Sequence, residues 1–226
     1  VNLDRGLVAY YPFNGNANDE SGNGKNLTVN GAALSKDRFG ETESAYSFSS
    51  KNKARLEGDE SLNGMASFTK SIWIKPTATN NSTFLQSGNG TLQYDYSQNR
   101  LYAYAYIDRK GGLGRLGLAY VHWYQIKINQ NEWQHFVFTA GSDNEPQIYL
   151  NGVLLNRDKR EYDDGVQGDY QKFLIGAAHS SSNLGGTGYK GFFDGEIDDV
   201  RIYDRAITEA EVAELYQLEK PEEPVI

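Results

Sequence analysis

Leu101-Tyr102-Ala103-Tyr104-Ala105-Tyr106-Ile107 alternates without a break. In an extended chain successive side chains point to opposite faces. Leu101, Ala103, Ala105 and Ile107 therefore share one face, and Tyr102, Tyr104 and Tyr106 share the other. The aliphatic row supplies what a core needs, which leaves the tyrosine row free to face outward. The same period recurs on both sides of this segment. Upstream, strands are expected over 7–13, 27–29, 45–48, 54–56, 67–75, 83–86 and 91–96. Downstream they are expected over 116–128, 133–140, 147–155, 173–175 and 192–203. Asn14–Lys25, Asn30-Gly31 and Asn151-Gly152 carry the Asn, Asp and Gly that tight turns require. A single helix is predicted, at the C-terminal end. Thr208 caps it, Glu211 completes the capping box, and Ile207 with Val212 forms the hydrophobic staple. Short strands with one terminal helix predict an all-β sandwich rather than an α/β fold.

Composition narrows the function. The 226 residues, 13% of them aromatic, suffice for one full core. A single domain over 1–218 is expected, with 219–226, EKPEEPVI, as the start of a linker or tail. The net charge of −8, with no basic run among the aromatics, argues against a nucleic-acid partner. No apolar run reaches membrane-spanning length, so no direct membrane insertion is expected. The absence of cysteine excludes a disulfide framework, a thiolate metal site and a cysteine nucleophile.

Four blocks, in order along the chain, resemble the laminin-G-like, concanavalin A-like lectin/glucanase superfamily. They are GLVAYYPFN with NANDESGNG (6–24), SFTKSIWIK (67–75), NEWQHFVFTA with IYLNGV (131–153), and GFFDGEIDDVRIY leading into DRAITEAEVAEL (191–215). The resemblance implies a jelly-roll β-sandwich of two antiparallel sheets. It implies a non-catalytic, calcium-binding, carbohydrate-binding module of a larger bacterial protein, extracellular or on the cell surface. A monomeric module is expected, with a glycan or polysaccharide as partner and a surface protein as the alternative.

Calcium takes several oxygen ligands, and the loop over 14–24 is rich in them. The resemblance makes Asp19 and Asp198 the first two ligands, with Asn16 and Asn23 completing the set. For the sugar, the outward row Tyr102, Tyr104 and Tyr106 offers aromatic faces. Tyr94 on the preceding strand, and His122 and Tyr124 on the following one, are expected beside it. Arg109, in the Gly-rich stretch RKGGLGR, is a candidate for an acidic sugar group. The competing reading is a polysaccharide-degrading enzyme of the same fold. Glu196-Ile197-Asp198-Asp199 approaches a glycoside-hydrolase pattern, but Val200 and Arg201 stand where the second glutamate belongs. Retaining hydrolysis needs both carboxyl groups.

Overall fold

The computed structural model describes residues 2–107, 118–141, 146–156, 159–163, 172–179 and 188–222. Strands β1 (Leu7–Tyr11), β2 (Thr28–Asn30), β3 (Ala33–Ser35), β4 (Ala45–Phe48), β5 (Arg55–Gly58) and β6 (Phe68–Pro76) come first. Then follow β7 (Ser82–Ser87), β8 (Gly90–Asp95), β9 (Arg100–Ile107), β10 (Leu118–Gln125), β11 (Gln134–Ala140) and β12 (Gln147–Leu150). The set closes with β13 (Val153–Leu154), β14 (Lys159–Asp163), β15 (Phe173–Ile175), β16 (Ala178–His179), β17 (Tyr189–Lys190) and β18 (Gly195–Tyr203). Helix α1 (Glu209–Glu219) is the last element of the described chain.

Two eight-stranded antiparallel sheets pack face to face. The first has the order β13-β12-β11-β6-β18-β4-β3, with β1 also on β18. The second runs β14-β10-β9-β8-β7-β15-β5-β2. Phe68, Ile72, Ile74, Phe136 and Phe138 of the first sheet meet Phe84, Leu92, Leu101, Ala103 and Ala105 of the second in one buried core. The aliphatic row of β9 is thus the core row, as alternation requires.

The first sheet is covered on its other face too. Val137, Tyr149 and Tyr203 pack there against Ile207, Val212 and Leu215 from α1 and the segment before it. Residues at every position of β11 are consequently buried, the pattern of a strand enclosed on both sides. The helix begins as the sequence predicts. Thr208 Oγ1 accepts from the Glu211 amide, and the Glu211 side chain accepts from the Thr208 amide. It runs one residue beyond the expected boundary. Glu219, assigned to the tail, is a buried member of the domain.

A polar clasp joins α1 to the first sheet. The Glu219 carboxylate accepts from Trp73 Nε1 at 2.8 Å and from Arg201 Nε at 2.6 Å. The Arg38 guanidinium pairs with Asp198 and Asp199. Asp199 also accepts from the Tyr10 hydroxyl at 2.7 Å. Neighbours on an unbroken strand would face opposite ways. A bulge between Asp198 and Arg201, with Asp199 at φ 41°, turns both carboxylates toward Arg38. Burial pushes the carboxyls of Asp198 and Glu219 up, and the nearby Asp199 adds to it; Arg38 and Arg201 pull the other way.

Two expectations shift. The strand expected over 116–128 ends at Gln125, because the buried Tyr94 hydroxyl takes hold of the segment that follows. It donates to the Ile126 carbonyl at 2.7 Å and accepts from the Ile128 amide at 3.3 Å. Strand β14, KREYD, was not expected, since it lacks an apolar row; its pairing comes from the edge of β10.

Glu219→Ala removes the counter-charge of Arg201 and the acceptor of Trp73 together. It should destabilise the fold by roughly 3–5 kcal/mol in chemical denaturation. The exposed Glu222→Ala should change stability by less than about 0.5 kcal/mol.

Candidate functional site

The outer face of the second sheet carries an open groove of about 340 Å³. Its setting follows from register. Tyr102 pairs with Gln93 on β8 and with Trp123 on β10; Tyr104 pairs with Thr91 and Val121. These rows alternate with Leu101, Ala103 and Ala105, which point into the core, so Tyr102 and Tyr104 stand outward. Their rings lie nearly parallel, centroids 6.2 Å apart at 19°. Gln93 Nε2 donates to the Tyr104 hydroxyl at 2.9 Å. Asn81, Asp95 and Lys190 complete the polar lining.

The hairpin of β16 and β17 bounds this groove. It is fixed to the outer face of the sheet by the His179 amide donating to Gln86 Oε1 at 2.7 Å, and by the Tyr189 hydroxyl donating to Glu57 at 3.0 Å. Beyond it, the Thr83 amide donates to the Gly191 carbonyl at 2.8 Å. Gly191 has φ 61°, and a Cβ there would sit 2.8 Å from Thr83 Oγ1, so this wall approaches as closely as it does because the residue is glycine. Asp95 accepts from Ser97 and Gln98, and the Ser97 hydroxyl holds its carboxyl below the usual range. The groove therefore presents two aromatic faces, two carboxamides, an ionised carboxylate and an ammonium.

Of the candidate ligand residues, Tyr102 and Tyr104 meet in this groove with their rings outward, and Tyr94 lines it from below. The Tyr106 backbone continues the row opposite Ala119, but its side chain lies outside those described, and Arg109 lies outside the described residues. Tyr94, His122 and Tyr124 require correction. Tyr94 and Tyr124 both pair directly with Leu101, and His122 pairs with Ala103. Directly paired residues share a face, so these three side chains enter the core, each no more than 1% exposed. Trp123 is the neighbour that sequence reasoning passed over. It lies across from Tyr102, half-buried, with Arg100 4.4 Å over its ring. Only the pairing of β10 with β9 brings it there.

Each of the four proposed calcium ligands has a polar partner within the protein. Asp19 accepts three backbone amides, from Tyr10, Ser21 and Lys25, each at 2.9 Å. Bonds to these amides hold its carboxyl below the usual range despite partial burial. Asn16 Oδ1 caps the Asn18 amide, and Asn23 Nδ2 donates to the carbonyls of Leu7 and Val8. Asp198 faces Arg38 instead. The Tyr10 residue spans the gap, its amide on Asp19 and its hydroxyl on Asp199. Among the described residues no group of three or more His, Asp or Glu side chains is arranged to hold a metal.

The sequence profile of the concanavalin A-like lectin/glucanases superfamily matches residues 48–213. The chain belongs to that superfamily. No curated protein matches it. Among solved structures it resembles domain 4 of AbnA, an extracellular GH43 arabinanase from Geobacillus stearothermophilus, in complex with arabinotriose. The two are 22% identical with a TM-score of 0.61, over 93% of this chain and 98% of that one. It also resembles the binding domain of Paraclostridial Mosquitocidal Protein 1 (18% identical, TM-score 0.66, 95% of this chain). A third likeness is to the botulinum neurotoxin type G receptor-binding domain (16%, TM-score 0.62, 94% of this chain). The chain spans 52% and 51% of those two toxin domains. At these identities the likeness is one of fold, a jelly roll.

Within this superfamily the hydrolase-like stretch can be located. Glu196 pairs across β18 with Lys75 and forms an ion pair with it at 3.3 Å; Asp198 is 1% exposed against Arg38. Both stand on the first sheet, on the side away from the core, whereas the groove is on the second. His135 is fully buried, and its ring packs against those of Trp73 and Tyr216, so it is a packing residue.

Asp19→Ala leaves three backbone amides without their acceptor. It should cost about 1–3 kcal/mol, measured by thermal denaturation, and by the same amount in calcium as in chelator. A melting temperature that rises with calcium in the wild type but not in Asp19→Ala would give Asp19 a metal-binding role.

Proposed function

We propose that this chain is a non-catalytic, glycan-binding module of a larger secreted or cell-surface bacterial protein, and that the Tyr102–Tyr104 groove takes an oligosaccharide segment. The observation that carries this reading is the outward tyrosine pair beside hydrogen-bonding side chains. A sugar ring has an apolar face bearing C–H groups and a rim of hydroxyls. Parallel rings 6.2 Å apart offer apolar faces, while Gln93, Asn81, Asp95 and Lys190 offer donors and acceptors around them. The groove volume lies at the lower end of small-ligand sites, about 300–1,000 Å³, which suits a short segment of a chain rather than a broad protein surface.

Two further facts support the reading. The structural neighbour from the arabinanase is a domain in complex with arabinotriose. Another neighbour comes from botulinum neurotoxin type C, whose cell entry depends upon interaction with two ganglioside molecules. The hydrolase-like carboxylates stand away from the groove, one paired with a lysine and one with an arginine, which supports binding over cleavage as its role.

A glycan array followed by calorimetric titration tests this. The wild type should bind at least one oligosaccharide class. Tyr102→Ala and Tyr104→Ala should each weaken that binding about tenfold or more with an unchanged melting temperature, since neither ring enters the core. Silence across the array would overturn the glycan reading in favour of a protein partner. Release of reducing ends from a polysaccharide would overturn the non-catalytic one.

A further inference from the structure

Lys70 is fully buried. It stands on β6 in the row of Phe68, Ile72 and Ile74, where alternation calls for a core side chain. Its Nζ crosses to the turn between β7 and β8 of the opposite sheet. There it meets Ser87 Oγ, and it donates to Asn89 Oδ1 and to the Gly90 carbonyl, both at 3.1 Å. The remaining surroundings are apolar. The Phe68 ring centroid is 4.4 Å away, and Phe138 lines the same pocket beside Gly90. Among the described residues no carboxylate pairs with Lys70, so an ammonium here would be a buried charge without a counter-charge. Burial accordingly drives its pKa well below the usual lysine value, toward the free amine. A free amine is a nucleophile.

The group beside it, the Asn89 carboxamide, is an electrophile. Asn89 Oδ1 accepts from Nζ and also from the Ser87 hydroxyl at 2.6 Å. Two donors on one amide oxygen withdraw charge from Cγ and favour the oxyanion that attack would form. Asn89 Nδ2 donates to the Met65 carbonyl at 2.9 Å, which fixes the plane of the carboxamide. Ser87 Oγ touches both the amine and the amide oxygen, so its hydroxyl can take a proton from the amine as it gives its own to the amide oxygen.

We propose that Lys70 and Asn89 condense into an intramolecular isopeptide bond that joins the two sheets covalently. The Nζ–Cγ bond forms and the Cγ–Nδ2 bond breaks. Nζ loses one proton, for which Ser87 Oγ is the acceptor in reach, and the departing nitrogen gains one and is released as ammonia. No oxidant, metal or cofactor enters the balance. In a chain with no cysteine, this bond does what a disulfide would do, tying β6 of one sheet to the β7–β8 turn of the other. The site is separate from the tyrosine groove and stands or falls independently of it.

Mass spectrometry of the purified, denatured full chain tests the proposal. The chain should be lighter than its sequence mass by one ammonia. Trypsin should fail to cut after Lys70, and fragmentation should give a branched peptide joined between Lys70 and Asn89. Asn89 precedes Gly90, and succinimide closure at such a pair also expels ammonia. Lys70→Arg separates the two, abolishing the loss if the bond is an isopeptide and leaving it if a succinimide forms. A full sequence mass, or a mass deficit with only linear Asn89 peptides, would overturn the proposal. Should Lys70→Arg not fold, the branched wild-type peptide decides alone.

Discussion

The first sheet is buried on both faces, and the polar groups this encloses must find partners inside the protein. An ionised group removed from water costs several kcal/mol unless it is paired. Three carboxylates, from Asp198, Asp199 and Glu219, meet two guanidiniums, from Arg38 and Arg201, beneath α1. The Tyr10 hydroxyl and the Trp73 indole supply two further donors. Its members come from distant stretches of sequence, so the clasp holds only when β1, β6, β18 and α1 are all in place. This is why the helix packs in one orientation, and why its last residue is an internal part of the domain.

The covering helix also decides which outer sheet face stays open. With the outer face of the first sheet occupied by α1 and the clasp, the corresponding face of the second sheet is left to carry the groove. There the alternation of β9 presents Tyr102 and Tyr104, and the β16–β17 hairpin and Gly191 wall in the space beside them. The hydrolase-like glutamate and aspartate fall on the first sheet. Sequence proximity to a catalytic pattern therefore does not bring them to the groove.

Much of this was legible from residues alone. Alternation in LYAYAYI identified both the core row and the outward tyrosines. The Thr208–Glu211 capping box located the helix start, because capping is a contact between residues three apart. Tyr94, His122 and Tyr124 were misjudged because each belongs to a strand whose phase relative to Leu101 depends on pairing. A shift of one residue moves every side chain of a strand to the other face. Asp198 was expected to reach Asp19. The bulge beside it, and Arg38 arriving from 160 positions away in the chain, turned it elsewhere.

The sequence by itself determined the fold class, the core row of β9, the turns and the C-terminal helix. All of these depend on neighbours within a few residues, where periodicity and local hydrogen bonding act. Only the tertiary structure decided which tyrosines share the groove, where Asp198 and Glu219 find their partners, and that Lys70 meets Asn89 across the core. Those outcomes depend on strand register, on one bulge and on the approach of distant segments. No local pattern encodes them, because the free energy that selects them comes from burial and pairing after the sheets have closed.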